Sequence, residues 1–293
     1  MQFKMYGKAL DELTSERLRP MEKAREFIFA RLNGYFEYLL GSRPELLIPL
    51  EEGLTKRVQG LGVPNQSCAE SALVAALSQH HTHLAPRQDL TQVCLDAFLD
   101  ALDLSIDQLR SNEEVEVTQA QFQASAMRVD LQFYLALREL VGRDEAVRLN
   151  RDAIAQYVKL HDGPAFRDSG YGTLHDLRFV RARSAEVGYC GRIRIVSTVE
   201  NGMLIERCEN CEKVAGLAEA GIEFEDPEVF DMLLCSSDFA VTRLFNDAFV
   251  MTRHKTIAGG HPYCDNVFHD LRIVNTVEHP NDDFIARIHT MCE

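Results

Sequence analysis

No apolar run in this sequence approaches the roughly 20 residues that a helix needs to cross a bilayer. The opening Met1-Gln2-Phe3-Lys4-Met5-Tyr6 lacks the apolar core of a secretory signal. The expectation is a protein with no membrane partner that stays in the cytoplasm. Basic residues are the next shortage: 31 Lys and Arg stand against 45 Asp and Glu, a formal charge of −14. Non-specific affinity for nucleic acid comes from cations neutralising phosphates, so nucleic acid is set aside as a partner. One local basic run, Arg178, Arg181, Arg183, Arg192 and Arg194, leaves room for a small carboxylate or phosphate, against the plainer reading of solvated charges.

What is present is the composition of a folded protein. The 293 residues are 46% hydrophobic and 26% charged, enough to bury one large core or two ordinary ones. Of the eight cysteines, Cys68 and Cys94 fall on apolar helical faces and read as small packed hydrophobes. The others are Cys190, Cys208, Cys211, Cys235, Cys264 and Cys292. With no signal to carry them to an oxidising compartment, they read as thiols, metal ligands or a nucleophile rather than as disulfides.

The first hundred residues carry apolar positions at helical spacing, as in Met21, Ala24, Phe27, Ile28 and Leu32 behind Pro20, a good first-turn residue. Ser67-Cys68-Ala69-Glu70 reads as a capping box, and Asp89 as the cap of the next helix. His80 and His83 would share a helix face, but two imidazoles with no third ligand at spacing fit a helix C-terminus better than a metal site. The acidic, Gln-rich stretch 112–123 is the candidate boundary. It separates a helical region, 1–115, whose helices are candidates for homo-oligomer contacts, from a domain at 116–293. Two further helices are expected at 127–141 and 145–160.

After Gly172 the period changes. Residues 189–196 and 203–208 alternate about Asn201-Gly202, a strong hairpin signal. A helix should begin near Glu212, and Asp226-Pro227-Glu228 opens another that ends at Cys235. Strands are expected at 248–257 and 263–268. The fold class is therefore α+β: an all-helical N-terminal part followed by an antiparallel sheet covered by helices.

Chemistry concentrates in the second half. Cys208, Cys211, Cys235 and Cys264 converge there, with Asp238 three residues past Cys235 and Asp265 beside Cys264. Cys208-x-x-Cys211 is a candidate pair of ligands for a divalent metal such as zinc, although two single cysteines downstream do not make a zinc ribbon. A thiolate near Arg253, His254 or Lys255 would have a lowered pKa and act as a nucleophile. Asp238 or Asp265 would orient a histidine or serve as base, His254 or His261 would shuttle a proton, and Arg253 would clamp a carboxylate. Gly259-Gly260 would bring backbone N–H groups to an anionic substrate, although a plain hairpin turn is the simpler reading of that pair.

The block 253–265, Arg-His-Lys-Thr-Ile-Ala-Gly-Gly-His-Pro-Tyr-Cys-Asp, preceded by Cys235-Ser-Ser-Asp238 and by Cys208, resembles the L-2-amino-thiazoline-4-carboxylic acid hydrolase family over about residues 124–270. That resemblance implies hydrolysis of a non-peptide C–N bond in a small cyclic amidine, with Cys235, Cys264, Asp238, Asp265, His254 and His261 as catalytic candidates. Arg253, Gly259 and Gly260 would then bind the substrate. A fainter likeness to four-vinyl-reductase-type domains keeps open the alternative of a non-catalytic sensor that binds a small molecule or a metal through cysteines.

Overall fold

The computed structural model describes residues 3–7, 15–64, 71–79, 81–161, 170, 172–187, 193–222 and 224–291. The expected capping box at 67–70, with Cys68, lies outside the described residues, as do His80, Cys190, Arg192 and Cys292. Contacts divide the chain into two compact units, Thr14–Tyr157 with Gly216–Glu223, and Met1–Leu13 with Val158–Ala215 and Phe224–Glu293. This division does not follow a single cut near residue 115. The first strand, β1 (Lys4–Tyr6), belongs to the second of these units, while residues 119–157 belong to the first.

The helical unit starts with a two-stranded ribbon, β2 (Ser15–Leu18) paired antiparallel with β3 (Val115–Thr118). Helix α1 (20–42) runs behind Pro20 as expected, with a π-helical stretch at Arg25–Ala30, and buries Ala24, Ile28, Leu32, Tyr35 and Leu39 at helical spacing. There follow α2 (Leu47–Gln59), α3 (Ser71–Ser78), α4 (Gln88–Leu102) and α5 (Ile106–Ser111). Arg87 occupies the N-cap of α4, so Asp89 sits in the first turn and meets the helix dipole rather than capping it. Helix α6 (Gln119–Val141) begins eight residues before the expected start because Thr118 and Gln121 form a reciprocal capping box. Helix α7 (Arg143–His161) follows. The neighbours of His80 have plain roles: His81 stacks on Phe29, and the His83 backbone N–H donates to Asn33.

The other unit is built on a five-stranded antiparallel sheet of order β1-β4-β5-β7-β6. A helix that sequence periodicity missed, α8 (Leu174–Val187), precedes β4 (Ile195–Glu200) and β5 (Met203–Cys208). These two strands meet at Asn201-Gly202, both with positive φ. A Cβ on Gly202 would lie 2.8 Å from the Ile273 side chain, so the turn admits glycine alone without rearrangement. Then come α9 (Glu212–Glu219), which from Gly216 on is counted with the helical unit, α10 (Pro227–Cys235), α11 (Ser237–Phe245), β6 (Phe249–Thr252), β7 (Cys264–Asp270) and α12 (Asp282–Arg287). Asp226 caps α10 by accepting the Glu228 N–H, with Pro227 in the first turn.

The α+β class is as expected, and the sheet has two differently covered faces. Leu204 and Phe268 face α8, packing with Leu174 and Leu177. Val196, Ile205 and Val267 face the opposite way and pack with Ile285 and Ile288 at and beyond the end of α12. Because successive side chains of a strand alternate, every chemical group on β5 and β7 is assigned to one face or the other. No helix among the described residues is long and apolar enough to cross a membrane.

Candidate functional site

On the α8 face, Cys208 at the end of β5 lies directly across from Cys264 at the start of β7. Both pack with Ala185 and Ile195. The Cys264 Sγ accepts the Ile257 N–H at 3.3 Å, and the Cys208 Sγ accepts the Asn266 amide at 3.6 Å. Two residues before Cys208, Glu206 is 1% exposed and accepts from Arg181 Nε at 2.6 Å, while the Arg181 guanidinium lies 4.9 Å from the centre of the Phe268 ring. Helices α10 and α11 add the remaining groups. Cys235 closes α10, and Asp238 stands in the first turn of α11. Arg253, leaving β6, donates to the Asp238 carboxylate at 2.8 Å and to the Cys235 carbonyl at 3.1 Å. Its side chain is only 3% exposed and sits over Phe239.

Electrostatics ties these groups into one neighbourhood. Burial pushes the Cys235 thiol well up; the Asp238 and Cys211 charges add to that, and Arg253 opposes it. Burial, and then the neighbouring Cys264, raise Cys208. Cys264 is pushed up to about 12 by burial, although the Ile257 N–H and Arg253 pull the other way. The thiols are therefore protonated at neutral pH, and the backbone N–H and Arg253 wait for a thiolate. Glu206 is raised by burial against the pull of Arg181, with the negative charge of Asp238 adding to the rise. Burial also works against the Arg253 cation, but Asp238, Cys235 and Asp231 outweigh it and keep the guanidinium charged.

Asp265 follows Cys264 in sequence and points to the opposite face. One of its carboxylate oxygens accepts the N–H groups of His254 and Lys255, both at 2.8 Å, and the other lies 3.2 Å from His279 Nε2. Burial would raise this carboxyl, but His279 and the two N–H groups prevail and hold it below the usual range. The His254 and His279 rings are 4.0 Å apart, and Thr252 Oγ1 bridges His279 Nδ1 at 2.9 Å and His269 Nε2 at 3.0 Å. Cys235, Cys264, Asp238, Arg253 and Cys208 thus gather on one face, and Asp265 with His254 on the other. His261 is exposed.

Gly259 and Gly260 form the turn that the simpler reading expected. The Gly259 N–H goes to Thr256 Oγ1 and the Gly260 N–H to the Ile257 carbonyl, which leaves the Ile257 N–H as the one directed at a thiol. Cys211 is felt electrostatically at both Cys235 and Cys264. Among the described residues, however, only His254, Asp265 and His279 bring three ligand atoms within metal-binding reach of one another.

Sequence reasoning met Arg181 only as one member of the basic run, without its partner Glu206, and passed over Thr252, His269 and His279. A signal existed for the first two: Leu204, Glu206 and Cys208 share a strand face, so a carboxylate set between apolar neighbours calls for a buried cation. The basic run supplies it, and two more of its members are engaged within the fold, Arg178 on Ser197 and Arg194 on Glu209. No local pattern marks His279, which reaches the sheet from the loop before α12.

No curated protein and no solved structure matches the chain. The profile of the L-2-amino-thiazoline-4-carboxylic acid hydrolases matches residues 119–268, a segment that holds every group of the thiol face named above. With just over half of its 293 residues matched, the chain belongs to the L-2-amino-thiazoline-4-carboxylic acid hydrolase family.

Proposed function

We propose that this protein hydrolyses a non-peptide C–N bond in a small cyclic amidine of the thiazoline-carboxylate type, using the thiol face of the sheet. The observation that carries the reading is the convergence of Cys264, Cys235 and Asp238 around the buried guanidinium of Arg253, beside the Arg181–Glu206 pair. Such a substrate offers an electron-poor carbon bonded to nitrogen and sulfur. Opening it requires a nucleophile, a base for the nucleophile's proton and an acid for the departing heteroatom.

Cys264 suits the nucleophile best, because it is partly exposed and its sulfur already accepts a backbone N–H that favours the thiolate. Asp238, on a partly exposed side chain, takes the thiol proton as sulfur attacks the amidine carbon. Asp238, now protonated, returns that proton to the leaving heteroatom as the ring bond breaks. Asp238 then takes a proton from water as the water oxygen adds to the same carbon, and passes it to sulfur as the bond to Cys264 breaks and frees the thiol. Arg253 provides the positive charge for the thiolate and for the substrate's carboxylate.

Turnover of 2-amino-thiazoline-4-carboxylate by the full chain tests this. Cys264→Ala should lower kcat at least about a hundredfold, and Cys235→Ala should also impair turnover, with thermal unfolding close to that of the parent protein. Full activity in both variants would overturn the assignment.

A further inference from the structure

We propose that His254, Asp265 and His279 form a binding site for one divalent transition cation, zinc in the first instance, on the sheet face away from the thiols. Two imidazoles and a carboxylate make the nitrogen and oxygen donor set that such ions take, and one ligand atom from each residue lies within 4.8 Å of the other two. An ion about 2.1 Å from each ligand in tetrahedral geometry needs ligand separations of roughly 3.4 Å. The site therefore has to contract, by up to about 1.4 Å between its most distant ligand atoms. His254 is the exposed member and is free to make that adjustment.

A second observation is independent of this spacing. The Asp265 oxygen that faces His279, and His279 Nε2 itself, are buried and make no hydrogen bond, although they stand 3.2 Å apart on side chains that are 0% and 3% exposed. At that distance they make an ion pair of poor hydrogen-bond geometry, and a cation bound beside them would satisfy both atoms. The other ends of both groups are fixed. Asp265 is held by the N–H groups of His254 and Lys255, and His279 Nδ1 by the Thr252 hydroxyl, the kind of outer contact that orients a ligating imidazole. His254, at the open end, leaves coordination positions for water or a small ligand.

This inference does not rest on the hydrolase reading, since its residues lie on the other face and its test requires no turnover. Full-length protein is stripped with chelator and titrated with Co²⁺ and with Zn²⁺, followed by visible absorption and elemental analysis. The expected result is one ion per chain, with d–d bands and no thiolate-to-cobalt charge transfer. His254→Ala should weaken binding at least about tenfold, and Thr252→Val by roughly ten- to a hundredfold. His254 is exposed, so its variant tests the site even if Asp265→Asn fails to fold. Two outcomes overturn the proposal: no stoichiometric uptake by the parent protein, or uptake that shows sulfur charge transfer, survives in His254→Ala and is lost in Cys208→Ser or Cys211→Ser.

Discussion

The two faces of one sheet in this protein carry opposite kinds of chemistry. The α8 face holds thiols that burial keeps protonated, a raised carboxyl and two guanidinium groups. The α12 face holds imidazoles around a carboxylate whose ionised form is favoured by its contacts. Cys264 and Asp265 are adjacent in the chain and belong to different faces, separated by the strand that carries both. Adjacency in sequence is therefore a poor guide to shared function within a strand, where the nearest partner of a residue is two positions away or across the ladder.

The comparison is broken most decisively by crossing variants. Cys264→Ala should remove turnover and leave metal uptake intact, and His254→Ala should weaken metal uptake; if Cys264→Ala also loses the ion, the two faces are not independent. The next largest effect concerns stability. Arg181→Met leaves Glu206 buried without its cation and should cost about 3–5 kcal/mol, read as a shift in the urea midpoint; a loss below about 1 kcal/mol would mean that Glu206 is already neutral in the folded state.

A smaller effect is expected in the pH dependence of stability. A carboxyl raised on folding contributes stability that is fully present below its ordinary value of about 4.3 and is lost as pH rises through its folded value. Glu206→Gln should therefore flatten part of the decline in stability above about pH 4, by roughly 1.4 kcal/mol for each unit by which Glu206 is raised. Parallel stability-versus-pH curves for parent and variant would show that Arg181 cancels the effect of burial.

The helical unit offers a control far simpler in its chemistry. There Asp130 pairs with Arg31 inside a core of Tyr35, Phe133 and Leu137, and burial raises this carboxyl to about 6. It is shifted in the same direction as Glu206 and for the same leading reason. Sequence periodicity located most of this unit. Spacings of three and four residues in 20–42 and 88–102 report the buried stripe of a helix directly. The turn chemistry of Asn201-Gly202 and the Asp226-Pro227 start were equally legible, because each is decided by the conformational preference of one or two residues. Helix α8 was not, since its exposed side is rich in charge and its apolar positions Leu174, Leu177, Ala182 and Ala185 are sparse.

The amino-acid sequence by itself determined the α+β class, the hairpin, the concentration of cysteines in the second half and the family to which the chain belongs. These follow from local propensity and from motifs whose residues lie close together. Only the tertiary structure decided which side chains meet. Strand pairing set Cys208 against Cys264, the cover of α8 brought Arg181 to Glu206, and the loop before α12 carried His279 to Asp265. The physical reason is that a ladder register and the direction of a side chain across a sheet depend on partners dozens of residues away, and no local window contains them.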